Sequence, residues 1–205
     1  MHFPLADKIL YGGDYNPEQW SQDVWPEDMR LMKRAGVNMV SINIFSWAIL
    51  EPRPDQYHFD QLDRMMDLLA ENGIAADLAT TTASPPTWMS RLYPSTLPVT
   101  REGIRLSHGS RQHSCPNSPD FRRKSALLVE HLAERYHTHP ALNMWHLNNE
   151  YGCHTSQCYC DTCTEAFRGW LQERYHALET LNDAWGTRFW SQHYSSWEDI
   201  PGRLR

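Results

Sequence analysis

The sequence has no apolar run approaching the roughly 18 residues that a membrane-spanning helix requires. It has no basic excess: 19 Lys and Arg face 25 Asp and Glu, a formal net charge of −6. That balance gives no reason to expect nucleic acid or an anionic membrane as partner. Met1 to Lys8 contains no basic segment followed by an apolar stretch, so the N-terminus does not read as a secretory signal, and the chain reads as cytoplasmic. With 10 Gly and 13 Pro in 205 residues it is neither low-complexity nor collagen-like. No Gly-x-Gly-x-x-Gly follows a strand-like run and no Gly-x-x-x-x-Gly-Lys occurs, which argues against nucleotide binding.

What the chain has in excess is tryptophan and clustered cysteine. There are 9 Trp, and 12% of residues are aromatic, although the mean hydropathy is −0.65. Large aromatics dominate core burial, and they also form platforms for flat ligands. Of the 5 Cys, all but Cys115 fall between positions 153 and 163. An odd count without a secretion signal favours metal binding or free thiols over a disulfide framework.

Strand-like runs alternate with amphipathic stretches. Strands are expected at residues 9–11, 37–44, 74–78 and 141–147. Helices are expected from Pro26 to a stop at Gly36, then near 61–71, 121–136 and 164–178. Thr80 to about Pro119 reads as a long polar segment. Four βα units in series predict a parallel sheet with helical crossovers, met by a doubly wound sheet or by a (β/α)8 barrel. Polar residues follow the strands: Asp14 and Asn16, then Trp47 and Glu51, then Asn148, Asn149 and Glu150. Barrel enzymes place their active sites at that end. A barrel needs about 250 residues and eight strands, so the chain reads as the N-terminal half of something longer.

Glu150 is the sharpest catalytic candidate. A carboxyl at a strand end can protonate a departing oxygen and then deprotonate water, and an adjacent Asn149 amide can bind a neighbouring hydroxyl. Glycoside hydrolysis pairs such a group with a second carboxylate. Loop capping or pairing with an Arg is the structural alternative. In Cys158-Tyr159-Cys160-Asp161-Thr162-Cys163, three thiols in a short span, joined by a fourth from another loop, suit a tetrahedral, structural zinc site. The residues alone leave the ligand set open, with Cys115, Cys153 and His154 all available. Reduced free thiols are the alternative.

Four segments together are specific: Tyr11-Gly12-Gly13-Asp14-Tyr15-Asn16-Pro17-Glu18-Gln19-Trp20, Phe45-Ser46-Trp47-Ala48-Ile49-Leu50-Glu51-Pro52, Asn148-Asn149-Glu150-Tyr151-Gly152 and Phe189-Trp190-Ser191-Gln192. With Ser84-Pro85-Pro86-Thr87-Trp88 and Cys115-Pro116-Asn117-Ser118-Pro119, they resemble the β-galactosidases of glycoside hydrolase family 42. The resemblance implies a TIM (β/α)8 barrel, of which this chain holds about the first four βα units. It also implies retaining hydrolysis of terminal β-D-galactosides. By that resemblance Glu150 is the acid/base. Arg111, Asn149 and Trp190 bind the galactose. Cys115, Cys158, Cys160 and Cys163 hold Zn2+, leaving Cys153 outside. Family members are often trimers, and their nucleophile lies on a later strand. Residues 1–205 are then an N-terminal half-barrel with a zinc-binding loop around 153–163, expected to be inactive alone. A degenerate half-barrel that only binds zinc and sugar, and a related arabinosidase, are the other readings.

Overall fold

The computed structural model describes residues 9–109 and 114–202. Helix α1 (Trp25–Ala35) starts as the sequence predicts, with Pro26, Glu27 and Asp28 in its first turn. It stops where Gly36 takes φ 79°, a left-handed value, and donates its N–H to the Met32 and Lys33 carbonyls. Strand β1 (Met39–Ile42) follows, then the one-turn helix α2 (Trp47–Leu50) and helix α3 (Asp60–Glu71), which buries Leu62, Met65, Met66 and Leu69. Strand β2 (Ala75–Ala79) leads into helix α4 (Thr87–Leu92). Helix α5 (Pro119–Tyr136) is capped by Ser118, whose hydroxyl accepts the Phe121 N–H at 3.4 Å. Strand β3 (Leu142–His146) is followed by helices α6 (Asp161–Tyr175) and α7 (Leu178–Trp185).

The strands form one parallel sheet in the order β1-β2-β3. Val40, Ile42, Ala76 and Leu78 lie in the main core with Leu62, Met66 and Leu69 of α3 and Leu128, Leu132 and Tyr136 of α5. The opposite face carries a polar group at its centre: Ser41 Oγ donates to Asp77 Oδ2 at 2.8 Å, and His146 Nδ1 lies 3.4 Å from the same oxygen. In a closed barrel a face of this kind points inward.

The expected strand at residues 9–11 is replaced by a single bridge, Asp14 to Ser41, beside β1. The reason is local. Asn38 Oδ1 accepts the Tyr11 N–H at 2.7 Å and Asn38 Nδ2 donates to the Ile9 carbonyl at 2.8 Å, so a side chain holds the start of the segment, while the Asn38 N–H on the Tyr11 carbonyl at 2.9 Å and the Ser41 N–H on the Gly13 carbonyl at 3.1 Å are among its main-chain ties to β1. The segment still runs alongside β1, with the Tyr15 N–H on the Ser41 carbonyl at 2.8 Å. Gly12 is required there, because a Cβ would sit 1.7 Å from the Met39 carbonyl oxygen.

The helix expected over 164–178 begins three residues earlier and breaks at His176, whose φ of 60° is left-handed. The Trp-rich segment beyond it folds onto α6 and α7 as a separate cluster. Leu171, Leu181 and Ile200 are buried, with Trp185, Tyr194 and Trp197 packed against them. Asn182 clips this unit: its Oδ1 accepts from Thr187 Oγ1 at 2.6 Å and from the Tyr194 N–H at 3.0 Å. No helix among the described residues is long and apolar enough to cross a membrane.

Candidate active site and metal cluster

The C-terminal ends of the three strands are tied together by short polar side chains. Thr80, Thr81 and Thr82, directly after β2, are buried. Thr80 donates its N–H to the His146 carbonyl and its Oγ1 to the Leu147 carbonyl, both at 2.9 Å. Thr82 Oγ1 reaches the same Leu147 carbonyl at 3.4 Å. Asn43, at φ 65°, donates Nδ2 to the Ala79 carbonyl at 3.0 Å. Asn148 Nδ2 in turn donates to Thr82 Oγ1 at 3.5 Å, and the Asn149 N–H is held by Asn148 Oδ1 at 2.6 Å. Sequence reasoning missed these threonines and Asn43. The available signal was three consecutive Thr at the end of an apolar strand, where a hydroxyl can bond a neighbouring main-chain carbonyl, as those of Thr80 and Thr82 do.

Glu150 stands at this end of the sheet, exposed, with φ 47°. Its chain neighbours Asn148, Tyr151 and Gly152 line a cleft of about 200 Å³ that also meets Thr82, Pro116 and Cys158. The cleft therefore joins the strand end to the cysteine loop. Asn149 is brought beside Glu150 by the chain itself. Trp190 sits apart on a 3-10 turn at residues 189–191, 78% exposed, with its ring edge-on to Phe189 at 5.7 Å, and the described lining of the cleft does not include it. Arg111 lies outside the described residues.

Trp47 and Glu51, expected among the residues facing the site, are buried instead. Glu51 accepts Trp47 Nε1 at 2.8 Å and the Asp55 N–H at 2.8 Å, and Lys124 Nζ of α5 lies 3.6 Å away. Lys124 also bonds Asp55 at 2.6 Å and lies 5.5 Å over the Trp88 ring. Trp47, Glu51 and Lys124 satisfy one another in the core, where an unpaired charge would be costly, and the exposed Asp55 completes the set from the surface.

Cys115, Cys158, Cys160 and Cys163 converge, with all four sulfurs within 4.8 Å of one another. Cys115 Sγ is 3.3 Å from Cys163 Sγ and 3.6 Å from Cys160 Sγ. A zinc tetrahedron with arms of about 2.3 Å has edges of about 3.8 Å, so the donors fit a metal of that size. Two loops build the set. Cys115 is anchored by its N–H on the Thr96 carbonyl at 2.8 Å, and the other loop by the Tyr159 N–H on the Val99 carbonyl at 2.9 Å. Val99 N–H and Asn117 Nδ2 point at Cys158 and Cys163 sulfurs at 3.5 and 3.3 Å. Burial pushes the Cys115 thiol far above its ordinary range and Cys163 up to about 11. Burial acts the same way on Cys160, but the Cys163 N–H and the neighbouring thiols outweigh it and hold that group low. The cluster can hold a metal ion; a bound cation would ionise the reluctant thiols.

A parallel sheet with helices over one face, and polar side chains gathered where its strands end, defines the opening units of a (β/α)-barrel enzyme. Residues 14–202 match the family described as beta-galactosidase, glycoside hydrolase family 42, and the chain belongs to that family. A beta-galactosidase of Heyndrickxia coagulans is 62% identical over 199 residues, which is 96% of this chain and 30% of that protein. One from Geobacillus kaustophilus is 51% identical over 196 residues, 96% of this chain and 29% of the relative. The crystal structure of a beta-galactosidase from Bacillus circulans sp. alkalophilus superposes with a TM-score of 0.91 at 46% identity, covering 95% of this chain and 28% of that one. The chain thus spans about 30% of the length of the curated relatives it matches.

Proposed function

We propose that residues 1–205 supply the proton-donating side of a retaining β-galactosidase, as the N-terminal half of its catalytic barrel. Glu150 protonates the departing glycosidic oxygen and later takes a proton from water. Asn149, Arg111 and Trp190 bind the galactose, the two polar groups by hydrogen bonds and the indole by packing on the apolar face of the sugar. The negatively charged nucleophile belongs to the portion of the relatives that this chain does not span. The single observation that carries the reading is the Asn149–Glu150 pair after β3, Asn149 half-buried and Glu150 exposed beside a cleft, in a chain of this family. Zn2+ on Cys115, Cys158, Cys160 and Cys163 would be structural, because four thiolates leave no position for water. It would hold the loop around 153–163 against the loop of Cys115. The whole protein is proposed to be cytoplasmic and trimeric.

The 205-residue chain is expected not to turn over a chromogenic galactoside. Turnover that Glu150→Gln abolishes would overturn the missing nucleophile. In a polypeptide spanning the full length of the relatives, Glu150→Gln is expected to slow substrates with poor leaving groups by about 10²–10⁴-fold, and those with good leaving groups less in the first step. Equal losses for both kinds of substrate would refute the acid role.

A further inference from the structure

The fifth cysteine has a setting of its own. Cys153 Sγ, a Glu150 carboxylate oxygen and a His154 ring nitrogen lie within 4.8 Å of one another, and none of the three belongs to the four-thiol set. The backbone brings them together. Glu150, Gly152 and His154 have φ of 47°, 79° and 62°, all left-handed, and the Cys153 N–H closes a turn on the Glu150 carbonyl at 2.9 Å. Side chains with a Cβ visit that region rarely. Two of them within five residues make a tight curl that presents positions i, i+3 and i+4 on one side.

The donors are one thiol, one imidazole and one carboxylate. A single oxygen ligand is a poor offer for Mg2+ or Ca2+, which take several, whereas a mixed sulfur, nitrogen and oxygen set suits zinc-class cations. Three protein ligands leave a fourth coordination position open. We propose that Glu150, Cys153 and His154 form a second, open site for a zinc-class divalent cation, separate from the four-thiol cluster. A cation held there occupies the Glu150 carboxylate, so its binding and proton donation by Glu150 exclude one another; this consequence alone rests on the function proposed above.

The test is calorimetric titration of the 205-residue chain with Zn2+. The wild type is expected to take a second, weaker equivalent. Cys153→Ser and His154→Ala are each expected to weaken that equivalent by about tenfold or more while leaving the tighter one unchanged, because loss of a direct ligand costs at least what loss of its supporting partners costs. Cys160→Ser is expected to do the reverse, and Mg2+ to give no binding heat. Absence of a second equivalent from the wild type, its retention in both the Cys153 and His154 variants, or equal binding of Mg2+ would overturn the site. The readout needs no turnover, so failure of the catalytic reading leaves this result standing, and failure of the metal site leaves the catalytic reading intact.

Discussion

The two side-chain clusters that contain cysteine differ in depth and in origin. The four-thiol cluster has Cys115 and Cys160 buried and draws its thiols from two loops far apart in the chain. The Glu150–Cys153–His154 group has its carboxylate and imidazole exposed and comes from a single five-residue turn. The Lys124–Glu51 pair resembles the first in its burial, with side-chain exposures of 1% and 0%. Similar chemistry does opposite work in the two settings. Where water is excluded, each polar group must be satisfied by the fold and so becomes part of its stability. Where water has access, solvent can satisfy a polar group, and its contacts within the protein add less to stability.

The contrast can be broken most severely at the thiols. Metal binding contributes about 10–16 kcal/mol apparent stability in small zinc modules. Cys160→Ser, or a strong chelator applied to the wild type, is therefore expected to lower the melting temperature by many degrees and to free the Val99 and Cys115 loops. An identical melting curve with and without chelator would remove the distinction between the clusters. Next in size, Lys124→Ala leaves Glu51 buried without its cation and is expected to cost about 3–5 kcal/mol in urea unfolding. The double change Lys124→Met with Glu51→Gln should recover much of that loss. A Lys124→Ala chain as stable as the wild type would show that burial does not make this pair structural.

The smallest effect is expected at a half-exposed pair. Burial alone would raise the Asp63 carboxyl, but bonds from Arg135 at 2.6 Å and Tyr136 at 2.7 Å outweigh it and hold the group below its ordinary 3.8. A depressed carboxyl contributes stability that is present above its unfolded-state value and lost as pH falls through its folded-state value. Asp63→Asn is thus expected to flatten the acid arm of the stability curve below about pH 4, by up to about 1 kcal/mol given its exposure to solvent. An unchanged acid arm would show that the Arg135–Asp63 contact is not maintained in solution.

The legible parts of the sequence were those in which neighbours in the chain carry the signal. Helices α1, α3 and α5 were readable because their buried residues recur at helical spacing and their caps lie beside them. So were the three ladder strands, to within a few residues at their ends. Helices α2 and α4 passed unseen because four and six residues carry too little periodicity. The break at His176 was hidden because nothing local demands a left-handed backbone there. Glu51 looked like a site residue because it follows a strand. Its burial is decided by Lys124, which arrives from α5.

By itself the sequence determined the βα order, the presence of a thiol cluster and the placing of Glu150 directly after a strand, because each is written in short-range pattern. Tertiary structure alone decided that the Asn38 side chain holds residues 9 and 11 beside β1, that Thr80 and Thr82 tie the ends of β2 and β3 together, and that Cys153 turns toward Glu150 and His154. Those outcomes depend on which groups meet after the chain has collapsed, and a buried polar atom takes the partner that packing delivers to it.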